Sequence, residues 1–202
     1  MENNDFDIVV IGSGVIGHSI AFRLKQDDPQ LKIAVLGDPV NSLQASRAAA
    51  GMLAPFCECD KAVRFFKFCR ESLDKFPEFL RELVSVSEVP VHFSIEGSLM
   101  PSSSYREAWE ERKVFFAEED IPHEVWSSDK VRQKAPYLSD NCGEVMWVRE
   151  GQVNNRQMHD ALIQASRNLG NHVLEANVSG FIRKGSTLAS AVTDSGNLNG
   201  GQ

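Results

Sequence analysis

The chain has 202 residues, of which 42% are hydrophobic and 24% are charged, and its formal net charge is -7 at pH 7. This composition is typical of a globular protein, and the negative charge argues against nucleic acid as a partner, because phosphate backbones bind basic surfaces. No apolar run has the length of a membrane span, and the acidic stretch after Met1 lacks the positive start of a signal peptide. We therefore expect a cytoplasmic protein with no membrane partner.

The first elements predict a site for a dinucleotide. The strand Ile8–Ile11 is apolar and β-branched, and Gly12, Gly14 and Gly17 follow it at the G-x-G-x-x-G spacing before a helix predicted over Val15–Gln26. The first glycine permits a tight turn, the second lets backbone approach a pyrophosphate, and the third lets the helix pack on the strand. A glycine turn of another α/β protein is the alternative, but the strand and helix around it favour dinucleotide binding.

The second strand is predicted over Lys32–Leu36. In a dinucleotide-binding fold a carboxylate for the ribose hydroxyls follows this strand. Here Gly37 comes first and Asp38 one position later. Asp38 is expected either to reach the ribose or to cap the following loop.

A run of small side chains, Ala48–Gly51, lies within residues 41–55 and buries little area per residue. Such a run suits a place where backbone approaches a flat ligand, and a helix beginning near Ser46 would add N–H donors for phosphate. The alternative is a plain alanine-rich helix ended by Gly51.

The four cysteines do not predict a metal site. Cys57 and Cys59 are separated by one residue rather than two, and no second pair of Cys or His residues completes a site. We expect reduced thiols and no metal.

The rest of the chain alternates between helical and strand patterns. Helices are predicted over Asp60–Val84, with a kink or break at Pro77, over Tyr105–Glu118 and Ser128–Lys134, and from a cap at Asn154 or Asn155 to Leu169. Strands are predicted within Val89–Met100 and over Pro122–Trp126, Gly143–Val148, His172–Leu174, Val178–Arg183 and Leu188–Val192, the last two as a hairpin; Glu150–Val153 is predicted as a turn and Ser195–Gln202 as an unstructured tail. His159 is predicted to lie on the surface, because no carboxylate or cysteine partner is evident, and no residue stands out as an acid or base.

Three stretches together resemble the FAD-dependent amino acid oxidase family, and within it the glycine oxidases. They are Asp7–Gly17, Ser46–Leu53 followed by Cys57–Cys59, and Glu150–Val153 with its helix and the strand around Val178. The resemblance implies an α/β fold: a Rossmann-like FAD domain with part of a mixed β-sheet cap domain. The predicted division is residues 1–84 and 150–194 for FAD binding, 85–149 for the partial cap, and 195–202 for the tail.

The resemblance also implies which residues bind the cofactor. Those matching the family are the pyrophosphate turn (Gly12, Gly14, Val15, Ile16, Gly17), the ribose position (Gly37, with Asp38 as the substitute), a phosphate-contacting pair (Ala45, Ser46), backbone along the flavin (Ala50, Gly51, Met52) and backbone facing the adenine (Val178). Arg47 departs from the family, which often has a small hydroxyl residue there.

The implied reaction is oxidation of a small amine or amino acid, with hydride passing from the α-carbon to the flavin, hydrolysis of the imine, and peroxide formed from oxygen. The family's substrate-binding arginine and its last flavin-binding loop would follow Gln202, so no catalytic residue is predicted here. A second polypeptide, either a separate subunit or a product of cleavage, is expected to complete the enzyme. Two alternatives stay open: an FAD dehydrogenase subunit that passes electrons to a carrier, and a non-catalytic regulatory partner that binds FAD or ADP.

Overall fold

The computed structural model describes residues 5–38 and 44–200. Residues 41–43 of the segment 41–55 and the last two residues of the predicted tail therefore lie outside the described residues. The strands are β1 (Asp5–Phe6), β2 (Ile8–Ile11), β3 (Ile33–Leu36), β4 (Met52–Leu53), β5 (Phe93–Ser94), β6 (Ser98–Pro101), β7 (His123–Trp126), β8 (Val145–Val148), β9 (Gly151–Val153), β10 (His172–Leu174), β11 (Val178–Lys184), β12 (Thr187–Thr193) and β13 (Gly196–Gly200). The α-helices are α1 (Val15–Asp27), α2 (Ala45–Ala48), α3 (Pro55–Glu58), α4 (Arg64–Ser87), α5 (Ser102–Tyr105), α6 (Trp109–Glu118), α7 (Ser128–Lys134) and α8 (Asn155–Asn168). None of the described helices is both long and apolar enough to cross a bilayer.

The chain divides into two compact units. The second unit consists of Gly51–Glu78 and Phe93–Val153, and the first unit takes Phe79–His92 with the described residues before Gly51 and after Val153. The domain boundaries predicted from the sequence stay a prediction.

The first unit is built on a parallel sheet of β10, β3 and β2, with β3 in the centre. Every residue of β3 is buried, as expected for an apolar strand covered on both faces. Ile33 and Val35 pack with α1 on one face. Ala34 and Leu36 pack with Leu198 of β13 on the other face. A layer of helix and a second sheet therefore enclose the parallel sheet.

The second sheet of this unit has the order β1-β13-β12-β11 and contains the predicted β11–β12 hairpin. The unstructured tail predicted from Ser195 is wrong for β13, which pairs antiparallel with β12 and parallel with β1. The sequence of β13 shows no strand pattern, because Leu198 is its single large apolar residue. Main-chain hydrogen bonds on both sides hold β13 in the sheet, and such bonds leave no mark in a hydrophobicity pattern.

Helix α8 begins where the sequence predicted a cap. The Oδ1 atom of Asn154 accepts a hydrogen bond from the backbone N–H of Gln157 at 3.1 Å, which satisfies one of the free amides of the first turn. Helix α4 continues through Pro77 and is not divided there, so that alternative of the prediction is wrong.

The second unit contains two small antiparallel sheets, β6-β8-β7 and β4-β9-β5. The residues predicted as a turn after Glu150 form the central strand β9. Aromatic side chains dominate the core of this unit, and they are Phe56, Phe66, Trp109, Phe115 and Phe116.

A buried carboxylate organises the segment that follows β4. The Oε1 atom of Glu150 accepts hydrogen bonds from the backbone N–H groups of Phe56, at 2.5 Å, and Cys57, at 2.9 Å. Burial raises the pKa of the Cys57 thiol, and its hydrogen bond to Glu150 raises it further, so this thiol stays protonated. All four cysteines are free, as predicted.

Arg112 binds the same segment through its carbonyl groups. Its Nη1 atom donates to the carbonyl oxygens of Phe56, Cys57 and Cys59, at 3.2 to 3.4 Å, and its guanidinium lies 4.5 Å from the ring centre of Tyr105. A carboxylate on the N–H groups and a guanidinium on the carbonyl groups thus fix this short stretch of backbone.

We expect Glu150→Ala to lower the free energy of unfolding by about 3 kcal/mol, because it leaves two buried N–H groups without an acceptor. Glu150→Gln keeps a carbonyl oxygen at this place and is expected to cost clearly less. Urea denaturation of the two variants measures the difference, and equal losses would contradict the assigned role of the Oε1 atom.

Candidate cofactor site

The glycine turn joins β2 to α1 as the sequence predicted. The N–H of Gly12 donates to the carbonyl oxygen of Leu36 on β3 at 2.8 Å, which extends the parallel sheet into the turn. A Cβ atom added to Gly17 would lie 1.9 Å from the carbonyl oxygen of Gly12. A side chain at this position would therefore push α1 off the sheet.

The N-terminus of α1 forms a small polar cradle with Ser46. Gly14 is the N-cap residue and offers no side-chain cap, and no acidic residue occupies the first turn. The Oγ atom of Ser46 accepts a hydrogen bond from the N–H of Val15 at 3.0 Å. A Cβ atom on Gly14 would lie 2.9 Å from the same Oγ, so it would fill the cradle. The exposed N–H end of a helix beside a hydroxyl group fits an anionic ligand.

Helix α8 fixes α2 and therefore Ser46. The Nδ2 atom of Asn155 donates to the carbonyl oxygen of Ser46 at 2.7 Å. Arg47, which departs from the family pattern, forms an ion pair with Asp160 of α8 at 2.6 Å. The sequence predicted Ser46 but not the two residues of α8 that hold its segment.

The ribose position predicted at Gly37 lies against the turn. Gly37 has a φ angle of 144°, and a Cβ atom there would lie 2.7 Å from the Oγ of Ser13. The buried Ser13 thus leaves no room for a side chain at this position; a role of Asp38 at the ribose stays a prediction. Gln44, which the sequence analysis missed, donates from its Nε2 atom to the Oγ of Ser13 at 3.2 Å and to the carbonyl oxygen of Asp38.

The other residues of the first unit that were predicted to bind the cofactor are mostly more exposed to solvent than Ser13. Ile16 is 74% exposed in the first turn of α1. Ala45 begins α2, and Ala50 is exposed just after it. Val178 begins β11 and packs against the core below the parallel sheet. Their contacts with a cofactor stay a prediction.

The last two predicted residues belong to the second unit. Gly51 has a φ angle of 80°, and its carbonyl oxygen accepts a hydrogen bond from the N–H of Val153 at 2.9 Å. Met52 begins β4, and its side chain is 59% exposed. The backbone here is thus fixed by β9 while the Met52 side chain remains open to a ligand; contact with a flavin stays a prediction.

A buried pair of histidines joins α1 and the turn to α8. His159 is fully buried, and its Nε2 atom lies 2.8 Å from the carbonyl oxygen of Ser13, so the surface position predicted for it is wrong. The Nδ1 atom of His18 lies 2.9 Å from the Oγ of Ser166. Burial, together with the nearby His159 and Arg167, lowers the pKa of His18 to about 4. The uncharged form of His18 therefore prevails at neutral pH.

A signal for His159 was present in the sequence. His159, Leu162 and Ser166 follow one another at helical spacings of three and four, which places them on one face of α8. The surface prediction considered only carboxylate and cysteine partners, whereas the partner of His159 is a backbone carbonyl group. No group of three His, Cys, Asp or Glu side chains suited to a metal occurs within residues 5–38 and 44–200.

Comparisons with known proteins agree with this architecture. The chain matches the family model described as FAD dependent oxidoreductase over residues 7–199. A bifunctional protein ThiO/ThiG of Synechocystis sp. is 28% identical over 201 residues, which cover 95% of this chain and 28% of that protein. A glycine oxidase of Bacillus licheniformis is 34% identical over 118 residues, covering 58% of this chain and 28% of that protein.

A solved structure shows the same fold. The crystal structure of glycine oxidase from Geobacillus kaustophilus matches with a TM-score of 0.89 at 20% sequence identity, covering 98% of this chain and 54% of that chain. The present chain thus spans about half the length of that enzyme. Because the family match extends over nearly all of its residues, the chain belongs to the family of FAD-dependent oxidoreductases.

Proposed function

We propose that this chain supplies the nucleotide-binding part of an FAD-dependent oxidase that acts on a small amine or amino acid. The observation that carries the proposal is the cradle at the start of α1, where Gly14 leaves space beside the N–H of Val15 and the hydroxyl of Ser46. The curated relatives named glycine oxidase support an amino acid as the class of substrate.

Each predicted residue then has a role set by its position. The backbone of the glycine turn binds the pyrophosphate, helped by the Ser46 hydroxyl, which can still donate its own proton. The Asp38 carboxylate binds the ribose, and backbone at Val178 lies along the adenine. FAD, when bound, accepts a hydride from the substrate α-carbon and returns the electrons to oxygen as peroxide. No described residue is proposed as an acid or base, so the chain's own part is to bind and orient.

We further propose that a second polypeptide covers the open edge of β2. Within the described residues β2 pairs with β3 on one side, and no strand pairs with its other side. Val9 and Ile11 on β2 line a cavity of about 180 Å³ with Phe181 and Leu188, and the last three of these side chains are about half exposed. Unpaired edges and apolar patches are liabilities in a finished protein. We propose that this second polypeptide is equivalent to the remaining half of the glycine oxidase chain.

Purification of the tagged chain from its native cells tests the composition of the enzyme. Native mass spectrometry is expected to show a complex with a second polypeptide and one FAD, and added amino acids or amines are expected to release peroxide. If the flavin is instead bound by one longer polypeptide that contains this sequence, the two-polypeptide proposal is contradicted. Reduction of an electron carrier without release of peroxide would contradict the proposal that the enzyme is an oxidase.

Gly14→Val should abolish flavin retention in this complex, because the added side chain fills the cradle at the start of α1. The control is Gly180→Val in β11, where an added Cβ atom meets nothing within 4 Å. Absorbance of the purified proteins at the flavin band measures the FAD content. A Gly14→Val complex with a full complement of FAD would refute the placement of the pyrophosphate.

Gly51→Leu tests the predicted contact of this backbone with the flavin. The variant is expected to shift the flavin absorption band or to empty the site. Gly170→Leu serves as its control, because Gly170 has nearly the same φ angle, 78° against 80° for Gly51, and therefore the same backbone strain. If both variants keep the wild-type flavin spectrum, Gly51 lies in ordinary structure away from the ring.

A further inference from the structure

We propose that His159 is a positioning residue for the cofactor, because it fixes the peptide group between Ser13 and Gly14 in the glycine turn. The inference deepens the proposed function and rests on FAD binding at that turn. Neither the fingerprint glycines nor the other predicted site residues include His159, and it contacts the turn from an element 146 residues further along the chain.

The hydrogen bond determines which nitrogen carries the proton. A carbonyl oxygen accepts and cannot donate, so the Nε2 atom of His159, 2.8 Å from the oxygen of Ser13, must carry hydrogen. The Nδ1 atom of the same ring has no hydrogen-bond partner among the described residues. The ring therefore acts on the turn as a hydrogen-bond donor through its Nε2 atom.

The direction of that bond sets the direction of the next N–H group. No cis peptide bond occurs in the part of the chain that the structure describes. In a planar trans peptide the C=O and N–H groups point in opposite directions. Holding the Ser13 carbonyl on α8 therefore turns the N–H of Gly14 away from α8. Gly14 is the N-cap of α1, so this N–H precedes the free amides of the first turn, which are the anion-binding donors of such a turn.

A second buried histidine provides the comparison that separates positioning from packing. His18 also joins α1 to α8, through Ser166 at 2.9 Å, and is as fully buried as His159. The two rings contact each other edge to face, with centroids 6.0 Å apart. The His18 side chain makes its hydrogen bond within the helix pair; only its backbone N–H, which a substitution keeps, donates to the carbonyl oxygen of Gly14. Loss of either ring removes one buried hydrogen bond, but only loss of His159 frees the Ser13 carbonyl.

Three variants of the flavin-containing complex test the inference. His159→Leu removes the donor, His159→Gln offers an amide N–H in its place, and His18→Leu removes the other buried imidazole. We expect His159→Leu to raise the FAD dissociation constant about tenfold, the size that loss of one such hydrogen bond produces. We expect His159→Gln to restore most of the affinity, and His18→Leu to lower the melting temperature while leaving FAD affinity within about twofold of wild type.

A second measurement does not depend on the cofactor. Hydrogen exchange of the Gly14 and Val15 amides, followed in the complex after the flavin is removed, is expected to accelerate in His159→Leu and not in His18→Leu. Equal loss of FAD affinity in the two leucine variants, or unchanged exchange at Gly14 in His159→Leu, would overturn the inference while leaving the proposed function in place. A wild-type complex that binds no FAD would overturn the proposed function and this inference with it.

Discussion

The structure of the first unit depends on how closely α1 approaches β2. That approach is possible because Gly17 presents no side chain to the carbonyl oxygen of Gly12, where a Cβ atom would come within 1.9 Å. With the helix seated on the sheet, its N-terminal amides meet the Ser46 hydroxyl, and its buried face reaches α8 through His18. The cradle, the helix pair and the covered face of the parallel sheet are therefore consequences of one missing methyl group.

The second unit uses charge rather than small size to fix its backbone. Glu150 and Arg112 bind opposite ends of the peptide groups between Phe56 and Cys59. Burying a carboxylate is costly without hydrogen bonds, and the two N–H donors on the Oε1 atom offset part of that cost. Close approach of a helix to a sheet organises one unit, and a buried charge hydrogen-bonded to backbone organises the other.

Local patterns predicted much of this fold. The strand, glycine turn and first helix follow one another in sequence, and the helix Ser128–Lys134 has the predicted bounds because its charges, acidic in the first turn and basic in the last, are local. The residues that were missed act over long separations: Glu150 binds a segment 94 residues before it, and Asp160 pairs with a residue 113 before it. A single sequence contains no periodicity that reports such partners. Gly14 and Ser46 were predicted as site residues because their pattern is shared by a family, whereas His159 and Gln44 contact this turn in ways that only the folded chain reveals.

The sequence separation between Ser13 and His159 also constrains the order in which the protein assembles. The glycine turn leaves the ribosome before α8, and the His159 side chain that binds its Ser13 carbonyl follows 146 residues later. At about 5–20 residues per second, synthesis of that interval takes on the order of ten to thirty seconds. During this time α8 is absent, so nothing from that helix contacts the turn between β2 and α1. The glycine turn is therefore completed late in folding although it precedes α8 in the chain.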